Sequence, residues 1–150
     1  MTNQGLAPIV NVSNLGISIA VKSLEDTSRW YQENLGFREV LRRDFLEYGT
    51  RIAFLESSGV RIELIEDQRW KPVFRPDPPQ HTSIQGISQI TFRVDGLEAI
   101  VERVKKRPIT IAWDLIEVKD IGFKEFFIRD NEGNIIQFVE TRFRYAGDPR

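Results

Sequence analysis

One unit of this chain is written twice. Residues 51–66, RIAFLESSGVRIELIE, overlay residues 125–140, EFFIRDNEGNIIQFVE, at an offset of 74, without a gap. Gly59 falls on Gly133, Ile62 on Ile136 and Glu66 on Glu140. Upstream, an offset of 73 lays ISIAVKSLE (17–25) on ITFRVDGLE (90–98), matching Ile17 with Ile90, Val21 with Val94, Leu24 with Leu97 and Glu25 with Glu98. Apolar alternation is common to many strands, but a nearly constant spacing between two ends of a unit is the mark of duplication.

Each copy reads as strand, helix and three strands. GISIAV (16–21) alternates with β-branched residues and suits a half-buried strand. Over 23–37 the period changes: Leu24, Ser28, Tyr31 and Leu35 share a helical face, Ser23 is placed to cap it and Gly36 to stop it. Residues 37–49, 50–58 and 59–66 are then predicted strands, the last two joined by a Ser-Ser-Gly turn. Residues 67–85 hold four of the seven prolines and read as a connector. The pattern restarts with a strand at 88–94 and an amphipathic helix at 96–107 that aligns Leu97, Ile100, Val101 and Val104. Strands at 109–118, 123–130 and 133–140 follow, the last two closed by the turn DNEG. We divide the chain into a first module (14–66), the connector (67–85), a second module (86–140) and a tail (141–150), all within one domain.

Charge and composition narrow the partners. Lys and Arg number 21 against 22 Asp and Glu, which gives no electrostatic reason to bind nucleic acid or an acidic membrane. With no cysteine, thiol catalysis and Cys-type zinc sites are excluded. No run approaches the roughly 20 apolar residues of a membrane span, and the N-terminus lacks a signal-peptide pattern, so a soluble cytoplasmic protein is expected. A small molecule or a second copy of the chain is the expected partner.

GISIAVKSLEDTSRWYQENLGF (16–37) and FFIRDNEGNIIQFVE (126–140) together resemble the vicinal oxygen chelate superfamily, which includes glyoxalase I, extradiol dioxygenases and the bleomycin resistance proteins. The first looks like that family's opening strand and helix, the second like its closing hairpin and strand, and the likeness extends over residues 14–140. It implies an α+β fold of two tandem βαβββ modules whose curved mixed sheets wrap a cavity. It also implies a homodimer, since such modules often pair between chains. Activity does not follow from fold alone.

Metal-binding members of that family take one ligand from each opening strand and one from the last strand of each module, positions that fall here on Gly16, Glu63, Gln89 and Gln137. Gly16 has no side chain, and two neutral amides with one carboxylate hold a divalent ion poorly. No cofactor is therefore expected, with a divalent metal as the lesser alternative. Glu63 is the candidate catalytic group. Alternation places it with Arg61 and Ile65, opposite Ile62 and Leu64. Desolvated among aromatic rings it would serve as a general base; paired with Arg61 it would stay ionised; bonded to Gln89 and Gln137 it would form a polar floor.

The remaining candidates line a pocket rather than drive chemistry. Ser18, Thr91, Arg61, Gln89 and Gln137 supply polar contacts, while Trp70, Phe74 and Trp113, in or beside loops, supply aromatic walls of the kind that sandwich flat ligands. His81, the one histidine, is expected at the surface of the connector. Asp44, Glu47 and Asp114 could approach the cavity, but no spacing singles them out. These residues point first to a metal-independent binder of a small organic molecule. A metal-free isomerase, epimerase or cyclase using Glu63, a metal-dependent glyoxalase or dioxygenase type of enzyme, and a structural or regulatory partner protein are the rivals.

Overall fold

The computed structural model describes residue 10 and residues 15–142. Its first half forms β1 (Gly16–Val21), α1 (Leu24–Leu35), β2 (Arg38–Phe45), β3 (Thr50–Ser57) and β4 (Val60–Asp67). The second half repeats this as β5 (Ile90–Arg93), α2 (Leu97–Lys105), β6 (Ile111–Val118), β7 (Phe123–Arg129) and β8 (Ile135–Thr141). Each half makes one four-stranded sheet, in the orders β1-β4-β3-β2 and β5-β8-β7-β6. β1 runs parallel to β4 and β5 to β8, while the remaining neighbours are antiparallel. This is the α+β pair of βαβββ modules that the sequence implies. Residues 143–150 of the tail, and residue 14 of the first module, lie outside the described residues.

The strand registers correct one detail of the repeat. Pairing sets Phe54 opposite Glu63 and Phe127 opposite Gln137. The third strands therefore correspond at an offset of 73 and the fourth at 74, so the overlay is not gap-free. The extra residue sits in the second hairpin. Its loop holds three residues, 131–133, between Asp130 and Asn134, and ends on Gly133 at φ 88°; the first holds two, Ser58 at φ 47° and Gly59 at φ 79°. Both are favoured hairpin lengths, and each needs positive φ at its end.

A second correction concerns residues 37–49. The strand stops at Phe45, and Leu46–Tyr48 form a 3-10 turn closed by Gly49. The second module has the same turn at Lys119–Ile121, closed by Gly122. Gln68 and Arg142 then bond to the carbonyls of Gly49 and Gly122, so even this irregular corner is duplicated.

Capping explains where the helices begin. The Ser23 side chain accepts the Asp26 N–H, and the Glu66 carboxylate accepts the Leu24 N–H at 2.7 Å. Gly96 offers no side-chain cap to α2, but Glu140 accepts the Leu97 N–H, also at 2.7 Å. The identical glutamates at the ends of the two repeats thus do one job, placing a negative charge on the positive end of a helix. Gly36, left-handed at φ 68°, ends α1.

One core joins the modules. Leu24, Thr27, Ser28 and Tyr31 of α1 and Leu97, Val101 and Val104 of α2 are buried against the sheets. Tyr31 contacts Phe37, Phe37 contacts Phe92 and Phe92 stacks near Phe138, an aromatic run that passes from the first half into the second. The second hairpin adds polar links. Tyr31 donates to Asp130, Asn131 donates to Thr27, and Glu132 accepts from the Lys22 and Ser23 N–H groups. Burial pushes the Asp130 carboxyl above its usual range and, with Asp130 beside it, the Tyr31 phenol well above its own. No described helix is long and apolar enough to cross a membrane.

Candidate functional site

Parallel pairing puts equivalent residues side by side in each module. Ser18 lies opposite Glu63, and Thr91 opposite Gln137. In the first module the Ser18 hydroxyl donates to Glu63 Oε2 at 2.5 Å; in the second the Thr91 hydroxyl donates to Gln137 Oε1 at 2.7 Å. The same hydroxyl-to-oxygen contact is made twice, to an acid once and to an amide once. Strand alternation turns these groups away from the helix-covered face occupied by Ile62, Leu64, Ile136 and Phe138.

From Gln137 a hydrogen-bond chain runs across the second module. Gln137 donates to Glu125 at 2.7 Å, Gln89 donates to Gln137 Oε1 at 3.3 Å, and His81 Nε2 lies 2.9 Å from Gln89 Oε1, which Ser88 also approaches. An ionised Glu125 can only accept, which sets the directions. Gln137 must present its amide N–H to Glu125 and its oxygen to Gln89 and Thr91. Gln89 then presents its oxygen to His81, and the imidazole carries its proton on Nε2. Its Nδ1 is buried with no hydrogen-bond partner among the described residues.

His81 therefore differs from the expectation of a surface residue. It is 6% exposed and packs edge-on against Phe127, with Trp113 stacked on the other ring contact of Phe127 at 6.0 Å. The reason is the fold of the connector: Arg75 binds the carbonyls of His81 and Ile84, and Arg129 binds Asp77 and the Arg75 carbonyl, so the segment is strapped to the second module. Spacing alone gave no sign of this, because the segment is fixed against Phe127 and Arg129, and Arg129 stands 52 positions beyond Asp77.

A cavity of about 370 Å³ lies where the strap meets β1 and β5. Ser18 enters from the first module, Gln89 from the second, and Trp70 and Arg75 from the strap, with Glu132 of the hairpin at the edge. Glu63 stands behind Ser18, half-buried, and Gln137 behind Gln89. The expected floor is thus divided: Gln89 and Gln137 bond to one another, whereas Glu63 bonds to Ser18. Arg61 is not the partner of Glu63; it pairs with Glu56 and its guanidinium sits 6.0 Å from the Phe54 ring centre. Phe74 is 79% exposed beneath the Arg129 guanidinium, outside the cavity. Asp44 and Asp114 are tied to Arg51 and Lys105, and Glu47 is exposed.

The sequence matches the Glyoxalase/Bleomycin resistance protein/Dioxygenase superfamily over residues 15–138. The chain belongs to this superfamily. Among solved structures that share the superfamily fold, a glyoxalase family protein from Bacillus cereus is 18% identical with a TM-score of 0.70, over 91% of this chain and 99% of that one. A glyoxalase family protein from Enterococcus faecalis is 19% identical with a TM-score of 0.68, over 88% of this chain and 98% of that one. Glyoxalase I from Zea mays is 20% identical with a TM-score of 0.65, but here 85% of this chain covers 46% of the other. At these identities the likeness concerns the fold. No curated protein matches the chain.

Proposed function

We propose that this superfamily member binds a small organic molecule, without a metal, in the cavity between β1, β5 and the connector. The observation that carries this reading is the convergence of Ser18, Gln89 and Trp70 on one space of about 370 Å³. Its size suits a small ligand, with an indole for stacking and few polar groups for orientation. The strap that covers the cavity is held by Arg75 and Arg129, so the site is formed before a ligand arrives.

The donor set does not fit a divalent ion. Gly16 offers no ligand atom, and a β-carbon built there meets nothing within 4 Å. The amide oxygens of Gln89 and Gln137 already accept from Ser88 and Thr91, and no cluster of three His, Cys, Asp or Glu side chains lies among the described residues. Proton transfer is a second reading, favoured by one contact: the 2.5 Å bond between Ser18 and Glu63 connects the carboxyl to a hydroxyl that lines the cavity.

The proposal includes a homodimer. The outer strands β2 and β6 expose Val40, Leu41, Phe45, Leu115 and Val118, apolar surface that a second copy would cover. Light scattering at micromolar concentration checks this; a monomer there removes the dimer from the reading.

A small-molecule library screened by thermal shift tests the binding site. Hits are expected to perturb the amide resonances of Ser18, Gln89 and Trp70, and Trp70→Ala is expected to weaken them about tenfold. Hits that perturb none of the three would refute the site. Stabilisation by several degrees with millimolar zinc, nickel or manganese would refute the metal-free part. Any turnover found should vanish in Glu63→Gln; turnover that survives removes Glu63 as the base.

A further inference from the structure

A larger cavity, of about 420 Å³, lies where the C-terminal end of α1 approaches α2. The two spaces are separate and share no lining residue: Phe92 and Phe138 line this one, whereas Ser18, Gln89 and Trp70 line the other. Phe37, Val104, Ile109 and Ile128 make the rest of an apolar interior.

Its charge is one-sided. Arg103 and Arg107 line it, and no aspartate or glutamate among the described residues does. Arg107 is held in place by bonds to the Glu33 carbonyl and to Asn34 Oδ1, at 2.9 and 3.0 Å. Neither partner neutralises it. Arg103, exposed on α2, makes no ion pair or side-chain hydrogen bond among the described residues. A fork of donors over an apolar floor is matched by a carboxylate on an apolar body, which gains from burial of its tail and from charge-assisted bonds at its head. A neutral or cationic head on the same body gains the burial but not the charge-assisted bonds.

We propose that this cavity binds an apolar monocarboxylate, its head on Arg103 and Arg107 and its tail against Phe37, Phe92 and Phe138. The site is separate from the one between β1 and β5, and neither depends on the other.

The test uses the full chain and decanoate below its micelle concentration, followed by two-dimensional amide NMR. Decanol and decyltrimethylammonium carry the same tail with a neutral and a cationic head. Decanoate is expected to saturate, to bind at least tenfold tighter than either control, and to shift Ser58, Phe92 and Ile100. Arg103→Gln, on an exposed helix position, should weaken it about tenfold with an unchanged melting temperature. Equal affinity for decanol, an unaffected Arg103→Gln, absence of saturation, or shifts centred on Ser18 and Gln89 would each overturn the proposal. None of these outcomes bears on the thermal-shift hits expected at Trp70.

Discussion

Tyr31 in the middle of α1 donates a 2.9 Å hydrogen bond to Asp130 at the root of the second module's closing hairpin. Both side chains are buried, so this contact joins the two halves of the duplicated chain inside the core. Tyr31→Phe keeps the ring and removes the donor. It is expected to cost about 1–3 kcal/mol, the price of an unsatisfied buried polar partner. Urea denaturation measures it, and a loss below half a kcal/mol would show that Asn134 and Glu132 satisfy Asp130 without Tyr31.

Acidity should reveal the state of Asp130. Its carboxyl lies above its ordinary value of 3.8 because burial outweighs the hydrogen bonds from Asn134, Tyr31 and Glu132. A carboxyl raised in the folded state contributes stability that is full below its unfolded pKa and is lost as pH rises through the folded one. Wild type should therefore gain on Asp130→Asn as pH falls from 7 towards 4. Melting curves of both proteins across that range decide it; wild type losing ground instead would mean that the hydrogen bonds dominate.

The paired helix caps make a symmetric prediction. Glu66→Ala and Glu140→Ala should each destabilise by about 1 kcal/mol. Glu66 also pairs with Arg51 at 3.4 Å, so its loss should be slightly larger. Circular dichroism with urea compares them. A neutral Glu140→Ala would mean that α2 starts without help.

Gly133→Ala tests backbone strain by itself. A β-carbon at Gly133 meets nothing within 4 Å, so the cost comes only from φ 88°. About 1 kcal/mol is expected. An unchanged midpoint in urea would mean that the hairpin relaxes to negative φ.

Much of the fold was legible because duplication prints each element twice. Gly59 with Gly133 marked the hairpins, and Glu66 with Glu140 marked the ends of the repeats without showing that they cap the helices. The inserted residue was hidden, since a shift of one in a hairpin leaves the alternation on either side intact and only pairing reveals it. At the site, Ser18, Gln89 and Trp70 converge because two opening strands and a connector meet there. Arg61 and Phe74 were drawn elsewhere by Glu56 and Arg129. The burial of His81 depends on contacts with Gln89 and Phe127, which no local pattern encodes.

The additional residue in the second hairpin gives the halves different parts to play. Asp130, Asn131 and Glu132 bond to α1 and the residues that lead into it, while Ser58 only shares the lining of a cavity with α2. One half carries a plug and the other its socket. Were the chain cut within the connector, unlike halves should find each other in preference to like ones, so a single added residue gives two copies of one ancestor a means of telling themselves apart.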